Sequence, residues 1–238
     1  MRTERVALRH APAAGSAIAL RELRGRDELA VEGIDTRAAL DLLDRLIGRT
    51  DLPAAGLCAA DRDALLAALH RREWGDRIVT TLTCVACGER FDLSFGLSEV
   101  EAYLARAASG AAVPVPTGAQ ELDAAAQGAR AGVAALAKAL GVDEADIDRA
   151  AAALEAEAPI LDLEIGAHCA ECGHAQEAHF DLQSFVLQRV LGERALLMSE
   201  MHLLASSYGW SLREILTLTR STRRAMTRAL DDARTAWR

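Results

Sequence analysis

Two short cysteine motifs constrain this chain more than any other feature of its sequence. The first is Cys84-Val85-Ala86-Cys87-Gly88, and the second is Cys169-Ala170-Glu171-Cys172-Gly173. Each is a C-x-x-C motif followed by glycine, and each lies between segments whose alternating pattern indicates β-strands. Two intervening residues let both sulfurs of a motif reach one ion, and four thiolates match a closed tetrahedral zinc site.

We therefore predict one structural zinc ion per chain, bound by Cys84, Cys87, Cys169 and Cys172. Two disulfides, or reduced thiols buried in a core, remain open as alternatives at this point. A catalytic zinc is disfavoured because all four positions would be sulfur, which leaves no position for water. A thioredoxin-like redox role is also disfavoured, because that motif opens a helix, whereas the residues after each C-x-x-C indicate extended chain.

The segments around the motifs predict two β-hairpins. β-branched and alternating residues indicate strands over 77–83 and 90–95, and similar patterns indicate strands over 160–165 and 178–182. Each pair flanks one cysteine motif, so each hairpin has two cysteines at its tip. Residues 88–168 separate the two motifs, and the zinc ribbon is therefore split.

Helical periodicity dominates the remainder of the chain. Asp35 is placed to cap a helix over 36–48, and a second helix follows over 62–73. The apolar run over 182–207 predicts one long helix, and Ser211 to Glu214 match the capping box that opens another. The fold class is thus α+β, mainly helical, with a split four-cysteine zinc ribbon and a helical insertion.

The same patterns divide the chain into four parts. These are an N-terminal strand and helical pair (1–76), the split zinc ribbon (77–97 plus 159–182), an Ala-rich helical insertion (98–158) and the C-terminal helices (183–238).

The insertion is acidic and poor in large apolar side chains. It holds ten acidic and four basic residues, a capping box at Ser98 to Glu101, and predicted helices over 122–140 and from Asp143 to about 157. This composition indicates a peripheral helical hairpin, whose role as an ornament or as a docking surface stays open.

Charge and cysteine usage limit the function classes. The net charge of the 238-residue chain is −8, which disfavours nonspecific nucleic-acid binding. The fifth cysteine, Cys58, is interpreted as a small buried hydrophobe, and an odd thiol beside zinc-type pairs is typical of a reducing cytosol. No uncharged apolar run reaches ~18 residues, so no membrane span is predicted.

The C-terminal segment is the basic part of the chain. Residues 219–238 hold six arginines and two aspartates. They form either a solvated helix face or a surface that pairs with an acidic partner or with the chain's own insertion. Trp210 is predicted to pack between the long helix and the last two helices. The candidate partner-binding residues are therefore Trp210, Arg220, Arg223, Arg224 and Arg228.

Several of these residues carry a resemblance to a family. They are R-E-L-R-G-R-D-E at 21–28, the C-x-x-C-G hairpins, and H-L-L-A-S-S-Y-G-W-S-L-R-E-I-L-T-L at 202–218, followed by Arg223-Arg224. With them, the chain resembles the small zinc-ribbon baseplate and tail-assembly proteins of contractile phage tails and related extracellular contractile injection systems. The resemblance covers most of the chain outside 98–158 and is sharpest at Tyr208-Gly209-Trp210-Ser211.

The resemblance implies a role in building or bracing a baseplate hub, as an assembly chaperone or a structural component. It implies other baseplate or tail proteins as partners, and a location in the cytoplasm during assembly or in a tail-like particle.

Two other function classes are weighed against this one. A nucleic-acid-binding zinc-ribbon accessory protein is the alternative, but the ribbon strands are mostly acidic. The sequence contains no G-x-S-x-G, H-E-x-x-H, P-loop or dinucleotide motif, so no catalytic or organic-cofactor residue is predicted.

Overall fold

The computed structural model describes residues 4–10, 17–48, 52–107 and 113–236. Over these ranges the predicted class is confirmed: the fold is α+β and mainly helical, with three separate two-stranded antiparallel sheets. Within the same ranges, no helix combines the length and the apolar character that crossing a membrane requires.

The six described strands form three hairpins in chain order. They are β1 (Glu4–Ala7), β2 (Ala17–Leu20), β3 (Arg77–Thr83), β4 (Arg90–Gly96), β5 (Asp162–His168) and β6 (Ala175–Asp181).

The helices lie between and after the hairpins. They are α1 (Gly25–Leu29), α2 (Thr36–Ile47), α3 (Ala59–Trp74), α4 (Leu97–Ala107), α5 (Gly118–Ala125), α6 (Ala129–Ala139), α7 (Ile147–Glu157), α8 (Leu182–Gly192), α9 (Arg194–Tyr208), α10 (Leu212–Thr217) and α11 (Arg220–Ala236).

The main core forms where α2, α3 and α8 pack together. Asp35 caps α2 as predicted, because its carboxylate accepts the N–H of Ala38 at 2.9 Å. The helix places its apolar residues on one face, and that face meets the leucines of α3 and the valines of α8. The fully buried members of this core include Leu42, Leu43, Leu46, Leu65, Leu66, Leu69, Val186 and Leu187.

The two cysteine-bearing hairpins extend the main core at their base. Alternation places the apolar residues of β3 and β4 on one face, where Ile78 pairs with Phe95, and it does the same for Leu163 and Phe180 in β5 and β6. The rings of Phe95 and Phe180 meet edge to face at 5.0 Å. Phe180 also contacts Phe185 of α8, so the base of the ribbon is fixed to the main core.

Two helix predictions are wrong in their extent. The predicted helix over 182–207 is two helices, α8 and α9, which meet at Glu193. The Glu193 carboxylate accepts from the Trp74 indole N–H at 2.8 Å and pairs with Arg220 and Arg224, and these contacts fix the break. In the insertion, Gly128 has a φ of 80° and divides the predicted helix over 122–140 into α5 and α6.

The two predicted capping boxes have different outcomes. Ser211 and Glu214 form the reciprocal pair at the start of α10, as predicted. The box predicted at Ser98 does not form, because the carboxylate of Asp76 accepts both the Ser98 N–H at 3.0 Å and its hydroxyl at 2.7 Å. Glu101 instead pairs with Arg71. The start of α4 is thus tied to the residue that precedes β3.

His70 is fully buried in α3 between the rings of Trp74 and Phe185, at centroid distances of 5.4 and 5.7 Å. Burial, together with the nearby Arg189 cation, lowers the pKa of His70 from 6.5 to about 4. The unfolded chain takes up a proton near 6.5 and the folded chain does not until about pH 4. Acidification through that window should therefore destabilise the fold by up to about 3 kcal/mol through this residue.

An NMR titration of the His70 imidazole measures this directly and should give a midpoint near 4. Asp63 has the opposite effect on stability over an overlapping pH range. Burial raises its pKa from 3.8 to about 7, so acidification stabilises the fold through this residue. The stability test must therefore compare wild type with His70→Phe across pH rather than use wild type alone. An imidazole that titrates at its ordinary value would contradict the prediction.

Candidate metal centre

The two hairpin tips bring the four predicted cysteine ligands together. The sulfurs of Cys84, Cys87, Cys169 and Cys172 all lie within 4.8 Å of one another. Cys84 Sγ is 3.6 Å from Cys172 Sγ, and Cys87 Sγ is 3.8 Å from Cys169 Sγ. A tetrahedron with metal–sulfur bonds of about 2.3 Å has sulfur–sulfur edges of about 3.8 Å. The group therefore has the size of a four-sulfur metal site.

The structure contains no disulfide: all five cysteines are free, and the sulfur pairs at 3.6 and 3.8 Å lie well beyond an S–S bond length of about 2.0 Å. Both of these pairs join cysteines of different hairpins. The cluster therefore connects chain segments 82 and 88 positions apart.

Both motifs form the same tight turn. In the first, the Cys84 N–H donates to Glu89 O at 2.8 Å and the Gly88 N–H donates to Cys84 O at 2.9 Å. In the second, Cys169 donates to His174 O at 2.9 Å and Gly173 donates back to Cys169 O at 2.9 Å. The repeated backbone pattern orients each pair of sulfurs in the same way.

The glycine that follows each motif closes its turn at a positive φ, 77° at Gly88 and 73° at Gly173. A Cβ added at either position meets no atom within 4 Å, so the expected cost of alanine is backbone strain alone. Gly88→Ala should lower the free energy of unfolding by roughly 1–2 kcal/mol without changing metal content.

Gly166→Ala in β5 is the matched control, because that position also has open space and has no positive φ. Chemical denaturation of both variants checks the prediction. Equal effects would show that the left-handed conformation is not the cause.

A glutamine joins the two hairpins beside the sulfurs. Gln176 of β6 accepts the N–H of Val85 with Oε1 at 3.0 Å and donates from Nε2 to Thr83 O at 3.3 Å. Such contacts around the ligands orient a metal site. Gln176 was not predicted, because a polar residue in a strand carries no signal that it crosses to another hairpin.

Burial divides the four sulfurs into two kinds. Cys84 and Cys169 are buried beside Phe91 and Ala167, whereas Cys87 and Cys172 are exposed at the tip. The backbone N–H groups of Cys87 and Ala86 lower the pKa of Cys84 to about 6. At Cys87 the Glu89 N–H favours the thiolate, but local desolvation and the hydrogen bonds of the neighbouring sulfurs raise the pKa to about 12. A divalent cation would supply the charge that keeps all four sulfurs deprotonated.

The arrangement suits a structural role. Four sulfur donors close a tetrahedral site and leave no position for a reacting water. A four-sulfur tetrahedral set favours zinc or iron among the common metals. The fifth cysteine, Cys58, lies outside the group and is buried at the start of α3, as predicted. Burial raises the pKa of the Cys58 thiol to about 11.

The predicted partner surface on the last helix needs correction. Arg220 and Arg223 are only 2% and 0% exposed, so their guanidinium groups are not available to a partner. They pair neither with solvent nor with the insertion: Arg220 pairs with Glu193 between α8 and α9. Arg223 pairs with Glu28 of α1 and Glu200 of α9. Arg224 is partly buried and donates to Glu193 at 3.0 Å, and Arg228 is exposed.

A buried ion-pair network replaces that surface. Arg223 donates from Nε to Glu200 Oε2 at 3.0 Å, from Nη2 to Glu28, and from Nη1 to Leu218 O at 3.2 Å. Arg220 lies over the Trp74 ring at 4.7 Å. Burial raises the pKa of Glu28, although Arg223 acts against it. The network joins α1, α3, α9 and α11.

Glu28 and Glu200 were not predicted as partners of the arginines. Glu200 did leave a signal, because it is an acidic residue within the apolar run of α9. Trp210 has the packing position predicted for it: it is partly buried against the cluster formed by Leu197, Met201, Leu204 and Ile215. Its ring also stacks on Tyr208 at 5.1 Å.

Comparisons with known proteins leave the family undetermined: no family model, no curated protein and no solved structure matches the chain. Its function is therefore inferred from the residues described above.

Proposed function

We propose that this chain is a non-catalytic structural or assembly protein whose single zinc ion joins two β-hairpins, and that it acts in the baseplate of a contractile phage-tail-like particle. One observation carries the proposal. Four sulfurs from segments 82 and 88 positions apart come within 4.8 Å of one another. A site of this kind fixes the shape of a protein rather than turning over a substrate.

Zinc is proposed because the donor set is soft, closed and tetrahedral in size. Its proposed role is to hold the hairpins at a fixed angle on the helical core, through Phe180 and Phe185. The outward faces of those hairpins and the helices beside them then become rigid surfaces for other proteins.

The baseplate assignment is supported by the resemblance at 21–28 and 202–218. In the structure these two segments are neighbours, since Gly25 lies directly against Leu216, and Arg223, which follows the second segment, pairs with Glu28. The resembling residues thus form one packed unit of α1, α9, α10 and α11.

Charge on the ribbon supports a protein partner over a nucleic acid. The outward face of β5 and β6 carries the acidic side chains of Asp162, Glu164 and Glu177, all exposed. The phosphate backbone of a nucleic acid requires basic residues at such a face.

The proposal is tested by expressing a tagged chain in its source cells and sedimenting large particles from the lysate. The chain is expected to sediment with sheath, tube and spike proteins, or to be required for their assembly. Deleting the gene should then leave incomplete particles, and wild type should restore them while Cys87→Ser should not. Normal particles without the chain, or salt-sensitive binding to labelled DNA or RNA, would contradict it.

A further inference from the structure

Helix α7 lacks the packing that normally stabilises a helix. It has 11 residues, and none of them is buried. Helices of this length are marginal in water unless an apolar face packs against something. Ala151, Leu154 and Ala158 nevertheless recur at helical spacing on one side of α7 and the residue after it, and all three line a cleft.

The cleft lies between α7 and the base of the ribbon. Its volume is about 770 Å³, which is enough for several side chains of a bound segment. Leu104, Pro116 and Leu163 add apolar wall from α4, the segment before α5, and β5. Cys58, Arg62 and Asp63 at the start of α3 also line it.

The charged groups that line the cleft are mostly acidic. Arg62 is its only cation among the described lining residues, and the carboxylates there are Asp63, Glu121, Glu155, Asp162 and Asp181. Arg62 is 4% exposed and pairs through Nη2 with Glu121 at 2.6 Å, while its Nε and Nη1 have no partner within the described part of the chain. Asp181 is engaged as the cap of α8.

Glu155 and Asp63 form no ion pair within the described part of the chain, although Arg62 lies close enough to Asp63 to favour its charged form. Glu155 is exposed on the cleft side of α7, one turn after Ala151. Asp63 accepts the Leu161 N–H at 2.7 Å, and burial raises its pKa to about 7, so a cation beside it would stabilise its charged form. The insertion adds to this field, with ten acidic residues against four basic ones.

We infer that this cleft is the docking site for a basic, apolar peptide segment of a partner protein, which packs on α7. Apolar side chains of the segment cover Ala151 and Leu154, lysine or arginine side chains meet Glu155 and Asp63, and backbone carbonyl oxygens accept from Arg62. The inference rests on the proposed assembly role for the nature of the partner, and it assigns the insertion as the surface that receives it.

The test uses the full zinc-loaded chain and a random peptide library displayed on yeast cells. Selected peptides should be enriched in apolar and basic residues. A fluorescent copy of the best peptide is then titrated with wild type and variants at physiological salt, with anisotropy as the readout. Amide hydrogen exchange in α7 should slow when the peptide is bound.

Two matched pairs of variants localise the binding. Ala151→Trp fills the cleft and should weaken binding about tenfold or more, whereas Ala134→Trp, at an exposed position of α6 that does not line the cleft, should not. Glu155→Gln should weaken binding more than Glu144→Gln, which makes the same change of charge outside the cleft.

Equal losses within each pair would mean nonspecific attraction to the acidic insertion and would overturn the site. Failure to enrich any peptide, or enrichment of acidic peptides, would overturn it too. The particle experiment tests the assembly role separately. If the chain sediments with tail proteins but the cleft test fails, only the docking site is overturned. If the cleft test succeeds but the chain does not sediment with tail proteins, only the assembly role is overturned.

Discussion

Cys87→Ser is expected to abolish binding of the proposed zinc ion and to unfold the ribbon. A structural zinc of this type contributes on the order of 10 kcal/mol to folding, which is comparable to the whole stability of a domain. Near the sulfurs the two hairpins share only a small apolar layer around Phe91 and Ala167, and the contact between Phe95 and Phe180 lies at their base, so neither holds the tips together without the ion. Elemental analysis should give one zinc per chain for wild type and less for the variant, and thermal unfolding should begin at a lower temperature.

Cys58→Ala is the control, because Cys58 is a buried cysteine outside the four-sulfur group. It should keep one zinc per chain and lose only about 1 kcal/mol of stability, the effect of a small buried truncation. A strong chelator should reproduce the Cys87→Ser result in wild type, and added zinc should reverse it. Full stability of Cys87→Ser would mean that the sulfurs cluster without binding an ion.

Arg223→Met is expected to destabilise the fold by about 3–5 kcal/mol. The change removes the cation shared by Glu28 and Glu200, both of which are 5% exposed, so Glu28 loses its ion pair and Glu200 keeps only a 3.6 Å contact with Arg224. Urea unfolding measures the loss. Arg228→Met on the same helix is the control, since that side chain is exposed, and its effect should be within about 0.5 kcal/mol.

A second measurement separates charge from packing. Adding Glu28→Gln and Glu200→Gln to Arg223→Met removes the unpaired charges and should restore part of the lost stability. The single variant should also recover stability at lower pH, because protonation neutralises the stranded glutamates. If Arg223→Met and Arg228→Met were equally mild, the network would have no energetic role.

Local patterns predicted the parts of this fold that local chemistry determines. The strands beside the cysteines, the Asp35 cap and the Ser211 box each depend on residues a few positions apart. The four clustered cysteines could also be predicted, since two C-x-x-C-Gly motifs between strands are typical of a single four-sulfur site. The contacts that join distant segments could not be, and Gln176, Asp76 and Glu193 are three examples.

The basic C-terminal helix shows why. Its arginines have the same sequence pattern whether they face water, a partner or buried glutamates. The glutamates that bind Arg223, Glu200 and Glu28, are 23 and 195 positions away in the sequence. Similarly, the break between α8 and α9 is fixed by contacts of Glu193 with Trp74, 119 positions earlier. Helical periodicity contains no information about such partners.

The distance between the two halves of the metal site affects how the chain is made. A ribosome adds roughly 5–20 residues per second. The first cysteine pair therefore waits several seconds as an exposed dithiol, while up to 88 further positions are translated before the last sulfur emerges. During that interval the nascent hairpin offers only two thiolates, so an oxidant can join Cys84 to Cys87 before the metal closes the site. Production of folded protein should therefore depend on a reducing translation environment and on zinc supplied during synthesis.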